Sequence, residues 1–379
     1  MKTEAVFANA RIVTHDAVIH GTVRVVDGAI AEIDDGKSVP SGAVDFDGDY
    51  LVPGLVELHT DVLERHAFPR PGVAWPPVAA VLAYDAELTA VGITTVLDSL
   101  AVGYVFDSGR RPRNPRPLVD AIGVARDANM LRAEHFLHLR CEVSTEHVVE
   151  DFERLATDPF VRLVSLMDHT PGQRQFVDVA KYREYNQGKY GLSDVQVESL
   201  IVRRLEDQRR YGAKHRATIV DLCHEHGHAL ASHDDATRAH VEEAAAAGAV
   251  VAEFPTTIEA ATAAHDHGLA VLAGAPNLVC GKSHSGNIPV AALATGGLLD
   301  ILSSDYVPAS LLHGAFLLEA LGVLLPVAIA TITSTPAHRV GLKDRGVIAP
   351  GLRGDVVRVR AAPSAVAVRG VWRDGRRVA

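Results

Sequence analysis

Leu55-Val-Glu-Leu-His-Thr-Asp61, introduced by Val52-Pro53-Gly54, reads as a short apolar strand ending in a His-x-Asp pair. Side chains two residues apart on a strand point to the same side, so His59 and Asp61 are placed to grip one metal ion from a single strand end. One such pair arises by chance on many surfaces. Four later strand-like runs also end in an acid or a histidine: His138-Leu-Arg-Cys-Glu142, Leu166-Met-Asp-His169, Leu230-Ala-Ser-His233 and Leu302-Ser-Ser-Asp305. Packing alone does not account for five metal-compatible strand ends.

Outward from that stretch, strand and helix signals alternate. Residues 55–61, 93–100, 135–142, 162–169, 229–233, 250–255, 270–276 and 299–305 read as strands, separated mostly by Ala-, Glu- and Arg-rich helical segments such as 239–247. Alternation of this kind predicts a parallel sheet, and a count of eight predicts a closed (β/α)8 TIM-type barrel with its active site at the C-terminal strand ends. The first fifty residues and the tail are different. Ala5–Val13, Gly21–Val26, Ala29–Ile33, Asp355–Arg360 and Ala365–Trp372 are short alternating runs with Asp-Gly turns at Asp27-Gly28 and Asp374-Gly375. They predict a small β-sandwich built from both chain ends, residues 1–53 and 345–379, with the barrel over 54–344.

One connection is too long. Residues 170–228 lie between the fourth and fifth strands, where a few loop residues and one helix suffice. The insert, about 171–215, carries Pro171-Gly-Gln-Arg-Gln175 and the basic, tyrosine-rich run Lys181–Tyr190. A solvated helical hairpin is the plain reading; a lid or substrate clamp over the catalytic face is favoured.

The composition is that of an ordinary globular protein, 47% apolar and 22% charged over 379 residues. A net charge of −10 argues against a nucleic-acid surface but leaves room for a cationic cleft. No apolar run approaches the roughly 20 residues needed to span a bilayer. Three scattered cysteines form neither a zinc-finger spacing nor a disulfide framework. The expected compartment is the cytoplasm, the expected partner a small molecule, and a homo-oligomer is compatible with all of this.

Imidazoles and carboxylates suit divalent Zn, Mn or Fe, and the supply fits two ions. The expected ligands are His59, Asp61, Glu142, His169, His233 and Asp305, with Glu142 as the bridge. Asp305 is also expected to take the proton from the attacking water. Competing roles exist: an ion pair of Glu142 with Arg140, and helix caps for Asp168 with His169 and for Asp234 and Asp235 beside His233. His15, His20, His224, His226, His228, His265 and His267 read as surface residues. After the seventh strand, Gly274–Asn287 gathers glycines, hydroxyls, Lys282, Ser283 and His284 in a loop suited to phosphate oxygens. With Arg174 and Lys189 of the insert, these form the expected anion-binding set.

Several stretches carry a resemblance: Glu57-Leu-His-Thr-Asp61, Arg132-Ala-Glu-His135, His138-Leu-Arg-Cys-Glu142, Leu163–His169, Pro171–Phe176, Ala231-Ser-His-Asp-Asp-Ala-Thr237, Ala252-Glu-Phe-Pro-Thr-Thr257 and Ser283-His-Ser-Gly-Asn287. Together they resemble the amidohydrolase superfamily and, more narrowly, the α-D-ribose 1-methylphosphonate 5-triphosphate diphosphatase family of the carbon–phosphorus lyase pathway. The resemblance runs nearly end to end. It implies metal-dependent hydrolysis of a ribose 5-triphosphate to the 5-phosphate and pyrophosphate in phosphonate catabolism. The alternative from the ligand set alone is an amide or imide hydrolase, such as a deacetylase; the basic insert and anion loop favour a polyphosphate.

Overall fold

A computed structural model describes residues 3–70, 72–103, 115–176, 179–283, 287–362 and 365–379. Eight parallel strands follow one another in sequence order around a barrel: Leu55–Thr60, Ile93–Val102, Glu134–Glu142, Val161–Met167, Ala229–His233, Ala249–Glu253, Ala270–Gly274 and Ile301–Ser303. These are the eight runs expected. They are apolar on both faces because helices cover the outside and side chains fill the inside.

The first and last strands meet at a seam made by site residues. Thr60 and Asp305 form a parallel bridge, with Asp305 N donating to His59 O at 3.1 Å and Thr60 Oγ1 donating to Asp305 O at 2.8 Å. The buried carboxylate of Glu57 completes the seam, accepting from His59 N and from Ser304 N at 2.7 Å each.

Inside the barrel, chemistry separates by height. Leu58, Leu97, Phe136, Leu163, Ala231, Val251, Leu272 and Ile301 belong to one buried apolar cluster. Further along the same strands stand His59, His138, Ser165, His233 and Glu253, all buried. The apolar plug excludes water from below and leaves the polar groups at the rim where barrel sites lie.

The two chain ends join in a single mixed sheet of eight strands. Tyr50–Pro53 is the junction, parallel to Glu4–Val13 and antiparallel to Val356–Ala362. Its separate core includes Phe7, Phe46 and Trp372, with ring centroids 4.9 to 5.9 Å apart. The hairpin turn at Asp27-Gly28 has φ of 49° and 85°, the left-handed pair that an Asp-Gly two-residue turn supplies with little strain.

The long connection holds the helices Val179–Tyr190 and Asp194–Asp207, a π turn Gln208–Gly212, and the helix Ala213–His226. Ser193 starts the second of these with a capping box closed by Gln196. Tyr182, Val197, Leu200 and Ile201 give the insert a small core of its own.

Candidate metal centre

Glu253, at the end of the sixth strand, organises the floor of the site. Its Oε1 lies 2.9 Å from His59 Nδ1, and its Oε2 lies 3.1 Å from His233 Nδ1 and 2.6 Å from Ser165 Oγ. A carboxylate on Nδ1 fixes the tautomer and turns Nε2 toward a metal, the usual outer-shell arrangement of metal-binding histidines. The two rings so held are stacked, 5.6 Å apart.

His138 of the third strand stands beside this group. Burial pushes its pKa down to about 3, so the ring is neutral. Its Nδ1 lies 2.8 Å from the Leu58 carbonyl, which can only accept, so the proton belongs there. The lone pair on Nε2 then faces Ser165 and Glu253. Ligand atoms of His59, His138 and Glu253 all lie within 4.8 Å of one another.

A second cluster satisfies the same distance: His169, His233 and Asp234. Asp234 Oδ2 sits 3.4 Å from His233 Nε2 and 3.7 Å from His169 Nε2. That oxygen is shielded from water and has no hydrogen-bond partner, a costly state for a buried carboxylate. A divalent cation among these three groups would satisfy it. Two imidazoles and a carboxylate are also a donor set that suits Zn, Mn or Fe, so the residues present fit the group.

Glu142 takes a different position from the expected bridge. Its Oε2 lies 2.6 Å from His169 Nδ1, and its Oε1 accepts from His169 N, Ser144 Oγ and Arg204 Nη2 at 3.0, 2.8 and 2.9 Å. It orients His169 as Glu253 orients His59 and His233. Burial opposes the charge, yet His169 and Arg204 hold the Glu142 carboxyl well below the usual carboxylate range. Glu142 is paired with Arg204 of the insert rather than with Arg140 on its own strand, because the Asp194–Asp207 helix brings Arg204 in to it, fully buried.

Asp61 and Asp305 lie in neither cluster; both flank His59. Asp61 heads the helix Val62–Ala67. Asp305 adopts a left-handed backbone, φ 51°, at the seam, close enough to Glu57 that its charge, after burial, helps push the Glu57 carboxyl up to about 7.

The expected anion set is dispersed. Arg174 is buried between Asp235 and Glu243, with Nη2 at 2.8 Å from Glu243 Oε2 and Nη1 bonded to Asp235 Oδ1. Both of its donor ends therefore serve to anchor a loop, which is a correction to the clamp role. Lys282 is exposed and Ser283 partly buried on the loop after the helix Ala275–Cys280. His284 and the Lys189 side chain lie outside the described residues.

The geometry adds Glu253, Asp234 and His138 to the site. Glu253 obeys the rule that selected the others, an acid closing a barrel strand. Asp234 was legible only as a possible cap, and that position is filled by Thr237, whose side chain accepts from His240 N.

No family model matches the chain. The α-D-ribose 1-methylphosphonate 5-triphosphate diphosphatase of Escherichia coli (strain K12) is 46% identical over 373 residues, covering 98% of this chain and 99% of the relative. The chain belongs to the α-D-ribose 1-methylphosphonate 5-triphosphate diphosphatase family. At the level of fold this family member is similar to amidohydrolase structures. N-isopropylammelide isopropylaminohydrolase from Burkholderia multivorans ATCC 17616 matches with a TM-score of 0.64 at 16% identity, covering 99% of this chain and 98% of that one. N-acetylglucosamine-6-phosphate deacetylase from Pasteurella multocida matches with a TM-score of 0.63 at 14% identity, covering 99% of each. Among the described residues of this diphosphatase-family chain, no helix is long and apolar enough to cross a membrane.

Proposed function

We propose that the chain hydrolyses α-D-ribose 1-methylphosphonate 5-triphosphate to the 5-phosphate and pyrophosphate, with two divalent ions drawn from Zn, Mn or Fe. The observation that carries this reading is 46% identity spread over nearly the whole of both chains, with a donor set at the barrel rim in which Asp234 Oδ2 is shielded from water and unsatisfied. The deacetylase and aminohydrolase structures share the fold at 14 to 16% identity, which speaks for common architecture and not for amide cleavage.

In this reading His169, His233 and Asp234 would hold one ion, and His59 and His138, with Asp61 alongside, would serve the other, Glu253 standing behind the rings as their orienting carboxylate. The ions supply Lewis acidity toward water and phosphoryl oxygens. The chain itself does the rest. Glu253 and Glu142 keep the imidazole rings in register, and the apolar plug keeps bulk water from below. Asp305, beside His59 at the seam, accepts the proton of the water that attacks the α-phosphorus. Lys189 of the insert, with Lys282, Ser283 and His284 of the loop after the seventh strand, balances charge growing on the leaving pyrophosphate. Residues 1–53 and 345–379 act as one supporting unit and 54–344 as the catalytic one, working in the cytoplasm on a small phosphorylated ribose.

The test is product analysis. Metal-loaded protein incubated with a ribose 5-triphosphate should release pyrophosphate. Release of orthophosphate alone, or turnover of N-acyl compounds with none of the triphosphate, would overturn the assignment.

A further inference from the structure

Arg140 lies on the barrel strand that carries both His138 and Glu142 and has no described anionic partner. On the third strand it lies between His138 and Glu142 in the row that faces the barrel interior, and in the sheet it stands opposite Ala101 and Ser165. His138 and Ser165 contact one ligand cluster; Glu142 contacts the other through His169. Arg140 is thus set between the two.

Neighbouring guanidiniums are already engaged: Arg204 with Glu142, and Arg174 with Asp235 and Glu243. Arg140 makes no salt bridge to any described carboxylate, and its Nε is shielded from water with no hydrogen-bond partner. Yet the side chain is not sealed in, because part of it remains exposed. A buried donor left unmatched costs about 1–3 kcal/mol. Retaining one at the mouth of a site implies a ligand that supplies the acceptor. A guanidinium presents a planar fork of donors matched to phosphate oxygens.

We propose that Arg140 is a substrate-binding residue that takes a phosphate of the triphosphate chain between the two ligand clusters. This rests on the polyphosphate reading above and names the side chain that discriminates for it. An amide substrate offers no such anion, so Arg140 would also bias the site against amide chemistry.

Arg140→Gln and Arg140→Lys, compared with wild type in metal-loaded form, test this with a ribose 5-triphosphate as substrate and inorganic pyrophosphate as ligand. Arg140→Gln should raise KM and weaken calorimetric pyrophosphate binding by at least ~10-fold each, with metal content unchanged. Arg140→Lys should recover part of both, since it keeps the charge and loses the fork. Should Arg140→Gln fail to fold, a several-fold loss of pyrophosphate affinity in Arg140→Lys carries the test. KM and pyrophosphate affinity within about twofold of wild type in the folded variants would overturn the proposal. So would a loss of bound metal without a change in pyrophosphate affinity, since Arg140 would then only screen the carboxylates. If wild type binds pyrophosphate through Arg140 but cleaves no triphosphate, the functional assignment fails and the anion site stands.

Discussion

Arg204 Nη2 lies 2.9 Å from Glu142 Oε1, joining the helical insert to the end of the third barrel strand. Both side chains are buried, Arg204 at 2% exposure and Glu142 at 4%. Since Glu142 also grips His169 Nδ1 at 2.6 Å, the insert reaches a candidate metal ligand through one carboxylate. Removing one partner of a buried pair strands the other charge. Arg204→Met should therefore cost about 3 kcal/mol in denaturant stability and reduce metal content. Adding Glu142→Gln should recover part of the stability, because no charge is then stranded. Unchanged stability in Arg204→Met would remove the link.

Glu253→Gln keeps the shape of the residue but gives up one of the acceptors that hold His59 and His233. Metal affinity should fall by roughly 10- to 100-fold, as expected for an orienting group behind the ligands, while the thermal transition of the metal-free protein shifts little. Metal titration followed by elemental analysis reads the first quantity, and calorimetry the second.

Arg174→Ala should behave as a structural variant. It leaves Asp235, only 1% exposed, without its main partner, so a stability loss of about 3 kcal/mol is expected. The ratio of kcat/KM for a triphosphate over its diphosphate counterpart should stay near that of wild type. A collapse of that ratio at unchanged stability would restore Arg174 to the anion site.

Asp305→Asn removes the proposed proton acceptor at the seam. The maximal rate should drop by at least ~10² while KM changes little, in keeping with loss of a general base. A variant that loses metal outright would make Asp305 a ligand first.

His135 is the fifth test, through pH. Burial opposes its charge, but Asp98 on Nδ1 at 2.9 Å and Asp85 on Nε2 at 3.2 Å outweigh that and lift its pKa to about 9. The folded-state value lies above the unfolded one of roughly 6.5. Its stabilising contribution is then full below about pH 6.5 and fades as pH rises through about 9. Wild type should exceed His135→Gln by a few kcal/mol, on the order of 3, near pH 6, with the gap closing by pH 10. Urea unfolding at the two pH values measures it, and a gap independent of pH would refute the charged imidazole.

What the amino-acid sequence determined by itself is local. Short apolar runs and their spacing specify eight strands, and a residue closing a parallel strand must face the rim, so His59, Glu142, His169, His233 and Asp305 were legible one at a time. Glu253 was equally legible, and only its strand-end position was needed to find it. Tertiary structure decided which acid serves which imidazole. His59 and Glu253 are 194 residues apart, and Arg204 meets Glu142 across 62; neither spacing carries periodic information. A carboxylate at a rim can bind a cation, hold an imidazole or neutralise a guanidinium, and its own neighbours along the chain do not select among these. Barrel closure and the docking of the insert do, by fixing which polar atoms are left without a hydrogen bond when water is excluded: Asp234 Oδ2 on the acidic side and Arg140 Nε on the basic one.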